Sequence, residues 1–372
     1  MSILFKNLKK GPLEVKNRIV LPPFTRGRST QPGDIPNEMM AQYYAQRADA
    51  GLMITEGTQI SKIAKGYAFT PGMYNEAQVE GWKLITKAIH DKGSVIFAQL
   101  WHVGRMSHPL NVFGDIPVAP SALKPTPKTK GSLYYSTLVP DNGSGHFGMI
   151  EIGTPREMTI EEIKNTIEDY RIAARNAIKA GFDGIELHAA NGYLINQFLS
   201  PTSNKRTDEY GGSLENRLRF YKEVLEAIVS EIGENKVGVR LSPVIGLFNT
   251  QDENFEETFT QAIQIAENLS LVYLHIAESD WQDNNEYISP TFKKVIRDTF
   301  SNMIIYAGGF TKESAEELLN SGMADMVGFG RAFIANPDLV TRFENNYPLN
   351  ELDSSTLMCG DYRGYTDYPE YK

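Results

Sequence analysis

Eight short apolar runs, rich in β-branched residues, alternate along this chain with longer amphipathic stretches. A strand of a parallel sheet is buried on both faces and reads as a short continuous apolar run, whereas the helix that returns the chain keeps a polar side. The alternation therefore predicts a (β/α)8 TIM barrel. The predicted strands span residues 17–23, 52–58, 95–101, 184–190, 237–243, 272–278, 303–309 and 326–331.

The length of 372 residues accommodates either two ordinary domains or one large barrel. An open Rossmann sheet is the competing architecture, but no G-x-G-x-x-G follows an early strand. Because the composition does not change along the chain, we expect one barrel domain over residues 1–372. A helix is predicted over residues 159–182, where Thr159 and Glu162 form a capping box and Gly181 stops the helix.

Two segments interrupt the alternation. Residues 104–158, between the third and fourth strands, are rich in Pro, Gly and Ser, so we expect a loop or subdomain beside the active face. The tail over residues 347–372 is irregular and carries Tyr362, Tyr365, Tyr368 and Tyr371. These tyrosines pack onto a functional feature or make ordinary contacts with the barrel, and the sequence leaves both open.

Composition excludes several classes of protein. No apolar run approaches the roughly 18 residues of a membrane span, and the net charge of -9 disfavours binding to nucleic acid. The first residues lack the apolar stretch of a signal peptide, so we expect a cytoplasmic location. Cys359 is the one cysteine, which excludes an internal disulfide and any cysteine-ligated zinc or iron-sulfur site, and we expect no metal.

Polar side chains lie where barrel interiors are normally apolar. Alternation along the fourth and fifth strands sends Glu186, His188 and Arg240 inward, and the same test sends Tyr273 and His275 inward from the sixth. The third strand is apolar on both faces, so alternation does not decide which side faces the interior. Gln99, with Phe97 and Trp101, forms one of the two possible inward sets. Glu186 and Arg240 either satisfy each other or meet a ligand at the carboxyl end of the barrel.

Glycines follow the last two predicted strands. Gly308 and Gly309 end the seventh, and Gly328 and Gly330 precede Arg331 at the end of the eighth. Barrels often bind phosphate at these two turns, although tight turns alone would also require glycine. A phosphate at the rim with polar groups over the barrel mouth suits FMN better than a small sugar phosphate.

The motifs NRIVLPPFTR, TEGT, AKGY, AQLWHVGR, IELHAANGYLINQFLSPTSNKRTDEYGGSLENR, VGVRLSP, AGGF, VGFGRAFIANPDL and GYTDYP resemble those of the Old Yellow Enzyme family of flavin-dependent alkene reductases. The resemblance covers nearly the whole chain in order and is greatest to the bacterial subgroup with N-ethylmaleimide reductase and pentaerythritol tetranitrate reductase. It implies a (β/α)8 barrel with non-covalent FMN, reduced by NADPH or NADH. Residues 124–150 match no motif of the family.

The resemblance also implies roles for single residues. Those expected to hold FMN are Pro23, Thr25, Gly57, Gln99 and Arg240 at the ring system, and Gly309, Gly330 and Arg331 at the phosphate. His188 and Asn191 are expected to receive a carbonyl or nitro oxygen, and Tyr193 to donate a proton. Tyr67, Trp101 and Tyr365 are expected to line the pocket.

The function predicted from these residues is NAD(P)H-dependent reduction of the C=C bond of activated alkenes by ping-pong hydride transfer through FMN. Nitrate esters, nitroaromatics or quinones are alternative acceptors at the same site. A flavin-free sugar-phosphate aldolase or isomerase is a further alternative, disfavoured because no strand carries an inward lysine. A flavin-storage protein would keep the phosphate contacts without a proton donor. We expect a small-molecule substrate, no nucleic-acid or membrane partner, and a monomer or homodimer.

Overall fold

The structure, a computed structural model, describes residues 2–126, 135–141, 146–278 and 287–372, with only the backbone over 135–141 and 146–150. Eight parallel strands close into a barrel, because the fourth strand pairs with both the third and the fifth. The strands are β1 (Ile19–Leu21), β2 (Leu52–Ile54), β3 (Ile96–Trp101), β4 (Gly184–Ala189), β5 (Val237–Leu241), β6 (Tyr273–Ala277), β7 (Met303–Ala307) and β8 (Met326–Gly328). A short strand, Thr58–Gln59, adds to the edge of β3.

The barrel confirms the predicted fold, and its strands are shorter than the sequence patterns. The predicted eighth strand, for example, extends to Arg331, whereas β8 ends at Gly328 and a helix begins at Gly330. The last residues of the predicted strand belong to the turn and helix that follow, where Gly330 is partly exposed and Arg331 is exposed. Those turns form the rim of the barrel at the carboxyl ends of the strands.

Helices surround the barrel and pack on the outward side chains of the strands. They are α1 (Glu38–Gln46), α2 (Glu76–His90), α3 (Ile160–Lys179), α4 (Leu194–Leu199), α5 (Leu214–Ile232), α6 (Phe255–Asn268), α7 (Pro290–Thr299), α8 (Lys312–Asn320), α9 (Gly330–Ala335) and α10 (Leu339–Asn345). The capping box predicted for α3 is present, and Gly181, at φ +90°, ends it as predicted. No helix in the described ranges is long and apolar enough to cross a membrane.

The lower interior of the barrel is filled by apolar side chains. Phe97 and Tyr273 belong to this cluster, with ring centroids 5.3 Å apart, and alternation had predicted the inward direction of Tyr273. A hairpin that precedes the barrel, with strands Leu8–Lys10 and Leu13–Val15, contributes Leu13 and Val15 to the same cluster. The amino-terminal end of the barrel is thereby plugged, and an open cavity lies at the other end.

The predicted insertion between β3 and β4 contains two small sheets. Val118–Ala119 pairs in parallel with Arg156–Glu157, and Tyr135–Asp141 pairs antiparallel with His146–Glu151. Residues 127–134 and 142–145 of the predicted loop lie outside the described residues. The insertion therefore has secondary structure of its own, consistent with the predicted subdomain.

Candidate active site

A cavity of about 660 Å³ opens at the carboxyl ends of the barrel strands. This volume is within the range of cofactor and substrate sites. It is lined by most of the residues predicted to hold FMN, namely Pro23, Thr25, Gln99, Arg240, Gly309, Gly330 and Arg331. The predicted substrate residues Tyr67, Trp101, His188, Asn191 and Tyr193 line the same cavity.

Gly57 and Tyr365 are not among the lining residues. A Cβ on Gly57 would lie 2.5 Å from the Trp101 ring, so this glycine gives room for a tryptophan that does line the cavity. Tyr365 is fully buried, and its ring stacks on Tyr43 with centroids 4.2 Å apart. The tail thus packs this ring against Tyr43, and the role of Tyr365 in lining the pocket stays a prediction.

The lining residues that the sequence did not reveal include Leu247, Phe248, Leu357 and Met358. Leu247 and Phe248 follow β5 in a loop where Phe248 has φ +56°, a conformation that bulky residues rarely adopt. Leu357 and Met358 come from the tail, far along the chain from the strand ends. An apolar residue in a loop carries no pattern that distinguishes a cavity wall from ordinary packing.

His188 is held as a neutral ring with a defined tautomer. Burial, with the positive charge of Arg240 nearby, lowers the pKa of His188 well below its usual value. The backbone N–H of Ala190 donates to His188 Nδ1 at 3.3 Å, so in the neutral ring the proton resides on Nε2. His188 therefore brings one hydrogen-bond donor to the cavity without a positive charge.

Asn191 and Gly192 make the turn that ends β4. Both have positive φ, +58° and +78°, a region in which asparagine is several-fold enriched and glycine unstrained. The Asn191 N–H donates to Ser242 Oγ at 2.8 Å, and Asn196 Oδ1 accepts from the Gly192 N–H at 2.8 Å. This turn brings Asn191 into the same cavity as His188.

Tyr193 lies beside His188 at the start of α4. Its ring meets that of His188 edge to face, with centroids 5.0 Å apart, and its hydroxyl is 2.9 Å from that of Tyr67. Burial raises the pKa of Tyr193 well above its usual value and raises that of Tyr67 to about 12. Trp101 stacks between Tyr67 and His188 at 5.7 and 6.0 Å. The wall therefore holds two neutral, protonated tyrosines next to a neutral imidazole.

The polar residues of the interior form a network in which Glu186 is central. Its Oε1 accepts from Gln99 Nε2 at 2.8 Å, and its Oε2 lies 2.8 Å from His275 Nδ1. Arg240 Nε is buried and has no hydrogen-bond partner among the described residues. Glu186 is thus bonded to Gln99 and His275, and Arg240 keeps donors that a ligand in the cavity could use.

The rim suits the phosphate end of FMN. Gly309, with φ +67°, and Gly330, which begins α9, both line the cavity and have no Cβ that would obstruct an approaching group. Arg331 supplies a fork of donors at the same rim. Together with the buried Nε of Arg240, these features fit an anionic cofactor with a polar ring system.

The segment that carries Pro23 and Thr25 is fixed by residues that sequence reasoning missed. Glu56 Oε2 accepts from the backbone N–H of Arg26 at 3.1 Å and of Gly27 at 2.8 Å. The Arg26 side chain donates from Nε to the Leu357 carbonyl at 2.8 Å, which joins this loop to the tail. Burial raises the pKa of Glu56 to about 7.

Residues 3–350 match the family described as NADH:flavin oxidoreductase / NADH oxidase. The chain belongs to this family. Among curated relatives, the putative 12-oxophytodienoate reductase 5 of Oryza sativa subsp. japonica is 41% identical over 96% of this chain and 92% of its own. The 12-oxophytodienoate reductase 1 of the same organism is 41% identical over 97% of this chain and 91% of its own.

Solved structures of flavin oxidoreductases have the same fold. Morphinone reductase in complex with tetrahydroNAD is 43% identical, with a TM-score of 0.91 over 99% of this chain and 98% of that one. The Old Yellow Enzyme homologue from Zymomonas mobilis is 41% identical, with a TM-score of 0.90 over 98% of this chain and 99% of that one. The resemblance inferred from the motifs is thereby confirmed at the level of the family.

Proposed function

We propose that this flavin oxidoreductase uses NADPH or NADH to reduce the C=C bond of activated alkenes such as enones, maleimides and nitroalkenes. One observation carries the proposal. A neutral His188 with its proton on Nε2 lies beside the protonated Tyr193, and Asn191 lines the same cavity. Reduction of a polarised alkene requires hydrogen-bond donors for the substrate oxygen and an acid that protonates the α-carbon.

His188 and Asn191 receive the carbonyl or nitro oxygen of the substrate. Bound FMN supplies the hydride that the β-carbon accepts. As negative charge grows on the substrate oxygen, the two donors stabilise it, and they do so best when they are fixed before the reaction. The bond that the Ala190 N–H donates to His188 Nδ1 fixes the imidazole ring, and the bond that the Asn191 N–H donates to Ser242 Oγ fixes the turn that carries Asn191.

Tyr193 donates the proton to the α-carbon as a general acid. Its raised pKa keeps the hydroxyl protonated through the physiological range, so the acid is present whenever substrate binds. The Tyr67 hydroxyl, 2.9 Å away, keeps Tyr193 oriented within the wall. Trp101, stacked on Tyr67 and His188, closes the wall with apolar surface.

The remaining lining residues hold FMN. Thr25, Gln99 and Arg240 contact the ring system beside Pro23, and Gly309, Gly330 and Arg331 bind the phosphate. Supporting this assignment, all of them line one cavity. The names of the relatives also support the reaction, since they are a morphinone reductase and 12-oxophytodienoate reductases. Cytoplasmic location, and a monomer or homodimer of this one barrel domain, remain predictions.

The proposal is tested by a visible spectrum of the purified protein followed under anaerobic conditions. Addition of NADPH or NADH should bleach the flavin absorbance, and 2-cyclohexenone should restore it. A yellow protein that bleaches but is not reoxidised by the enone, while a quinone or nitroaromatic reoxidises it, would exclude alkene reduction. A protein that stays colourless after incubation with FMN would overturn the flavin assignment.

A further inference from the structure

Glu186 lies below the cavity and is fully buried. It faces the barrel interior from β4, directly opposite Gln99 on β3 and Gly238 on β5. A Cβ on Gly238 would lie 2.3 Å from the Tyr273 ring, so the glycine leaves room for this ring in the barrel interior. A buried carboxylate is costly unless it is fully hydrogen-bonded, and it gains little stability from being there.

The bond from Gln99 to Glu186 determines how the Gln99 amide is turned. A carboxylate can only accept hydrogen bonds, so Gln99 must present its NH₂ group to Glu186 Oε1. The carbonyl oxygen and the second N–H of Gln99 are then left for a ligand. An amide turned in this way matches a ligand edge with an N–H beside a carbonyl, as in the pyrimidine ring of a flavin.

Glu186 is itself fixed from the opposite side. Burial lowers the pKa of His275, and a neutral ring can contact Glu186 Oε2 favourably only by donating from Nδ1. His275 Nε2 is then an acceptor, and it has no partner within the described part of the chain. The backbone N–H of Gln99 is also held, by Thr55 Oγ1 at 2.9 Å.

We propose that Glu186 is a positioning residue, which acts through Gln99 to present a hydrogen-bond acceptor to the N–H of the flavin pyrimidine edge. The role rests on the proposed binding of FMN in this cavity. Glutamine at position 186 would offer both a donor and an acceptor, so the Gln99 amide could turn either way. Its preorganisation for FMN would be lost without any change in side-chain volume.

The test measures the Kd of FMN by fluorescence quenching in Glu186→Gln, Gln99→Ala and the double variant. Glu186→Gln should weaken FMN binding by about 10-fold, the usual effect of one hydrogen bond. In the Gln99→Ala background the same substitution should change the Kd by less than about two-fold. Glu278→Gln is the matched control, because Glu278 is also fully buried but pairs with Lys293 at 2.7 Å. It should lower the thermal midpoint and leave the Kd unchanged.

The outcomes separate this inference from the proposed function. A wild-type protein that does not bind FMN would overturn the proposed function itself. Wild-type binding with an unchanged Kd in Glu186→Gln, or an equal loss in both backgrounds, would overturn the positioning role. If Glu186→Gln does not fold, His275→Phe removes the other hydrogen-bond partner of the carboxylate. It should weaken FMN binding in the wild-type background and change the Kd little in the Gln99→Ala background.

Discussion

At the scale of single residues, the site works with neutral groups. Burial lowers the pKa of His188 and raises that of Tyr193, so both carry their protons as hydrogen-bond donors and neither is charged near pH 7. A cationic imidazole beside Arg240 would add like charge to a buried wall. The arrangement therefore keeps two donors ready while the positive charge beside this wall resides on Arg240.

Replacement of Tyr193 by Phe should slow alkene reduction by about 100-fold or more, because the general acid is lost. Reduction of the flavin by the nicotinamide should stay within about two-fold, since that step needs no proton from this hydroxyl. Stopped-flow measurement of the two half-reactions separates the effects. Tyr306→Phe is a suitable control, because the Tyr306 hydroxyl is buried away from the cavity and has no partner among the described residues. Equal rates of alkene reduction in Tyr193→Phe and wild type would refute the proton-donor role.

The pH dependence of alkene reduction should be flat between about pH 6 and pH 8. A histidine at its ordinary pKa of 6.5 would become charged as the pH falls through that value, but the lowered pKa keeps His188 neutral there. Tyr193 stays protonated at the upper end because its pKa is raised. Single-turnover rates of the alkene step across this range check the prediction, and an inflection near pH 6.5 that disappears in His188→Asn would contradict it.

At the scale of elements, the cavity is assembled by loops and not by the strands alone. The loop after β1 carries Pro23 and Thr25, and its backbone is fixed at residues 26 and 27 by Glu56 from the end of β2. The Glu56 N–H in turn donates to the Tyr44 hydroxyl of α1 at 2.9 Å. Three consecutive elements, β1, α1 and β2, thus hold one wall of the site.

Glu56 should make stability depend on pH. Its pKa is raised from 4.5 to about 7 by burial, so the folded protein is favoured below pH 4.5 and that stabilisation is lost as the pH rises through 7. The loss is roughly 3 kcal/mol when complete. Glu56→Gln keeps one oxygen for the two backbone N–H groups and removes the ionisation. The thermal midpoint of Glu56→Gln minus that of the wild type should therefore increase from pH 5 to pH 8. A constant difference across that range would show that Glu56 does not titrate there.

At the scale of the whole molecule, the tail closes the site from outside the barrel. Arg26 and Arg28 donate to the carbonyls of Gly364 and Thr356, at 2.6 and 2.9 Å, and both guanidinium groups lie over the Tyr365 ring. Leu357 and Met358, which line the cavity, lie within this fastened segment. The position of this part of the cavity wall therefore depends on contacts between the loop after β1 and the tail.

Tyr365→Ala should destabilise the protein by about 3 to 5 kcal/mol, as expected when a buried aromatic ring is removed. The affinity for FMN should fall as well, because Leu357 and Met358 of the tail would no longer be held firmly at the cavity. Tyr365→Phe is the matched control and should be nearly neutral, since the Tyr365 hydroxyl is buried without a partner in the part of the chain that is described. Thermal unfolding and FMN titration of both variants check this. A direct role of Tyr365 in the pocket would instead reduce activity in Tyr365→Phe.

Sequence periodicity determined the barrel and the inward direction of Glu186, His188, Arg240 and Tyr273. Strand side chains alternate strictly, and a β/α repeat has few ways to bury its apolar surface. The glycines after β7 and β8 also identified the rim, because close backbone approach needs residues without a Cβ. These are local properties, so the linear order of residues is enough to reveal them.

Only the tertiary structure decided which distant segments meet at the cavity. From sequence, Tyr365 could be assigned to the pocket or to packing, and only the structure reveals its stack on Tyr43, more than 300 positions away. The same holds for Met358 on the cavity wall and for Glu56 beneath the loop after β1. Such contacts join residues with no shared period or motif. Their partners are determined by how the closed barrel brings separate loops to one rim, and no local pattern encodes that.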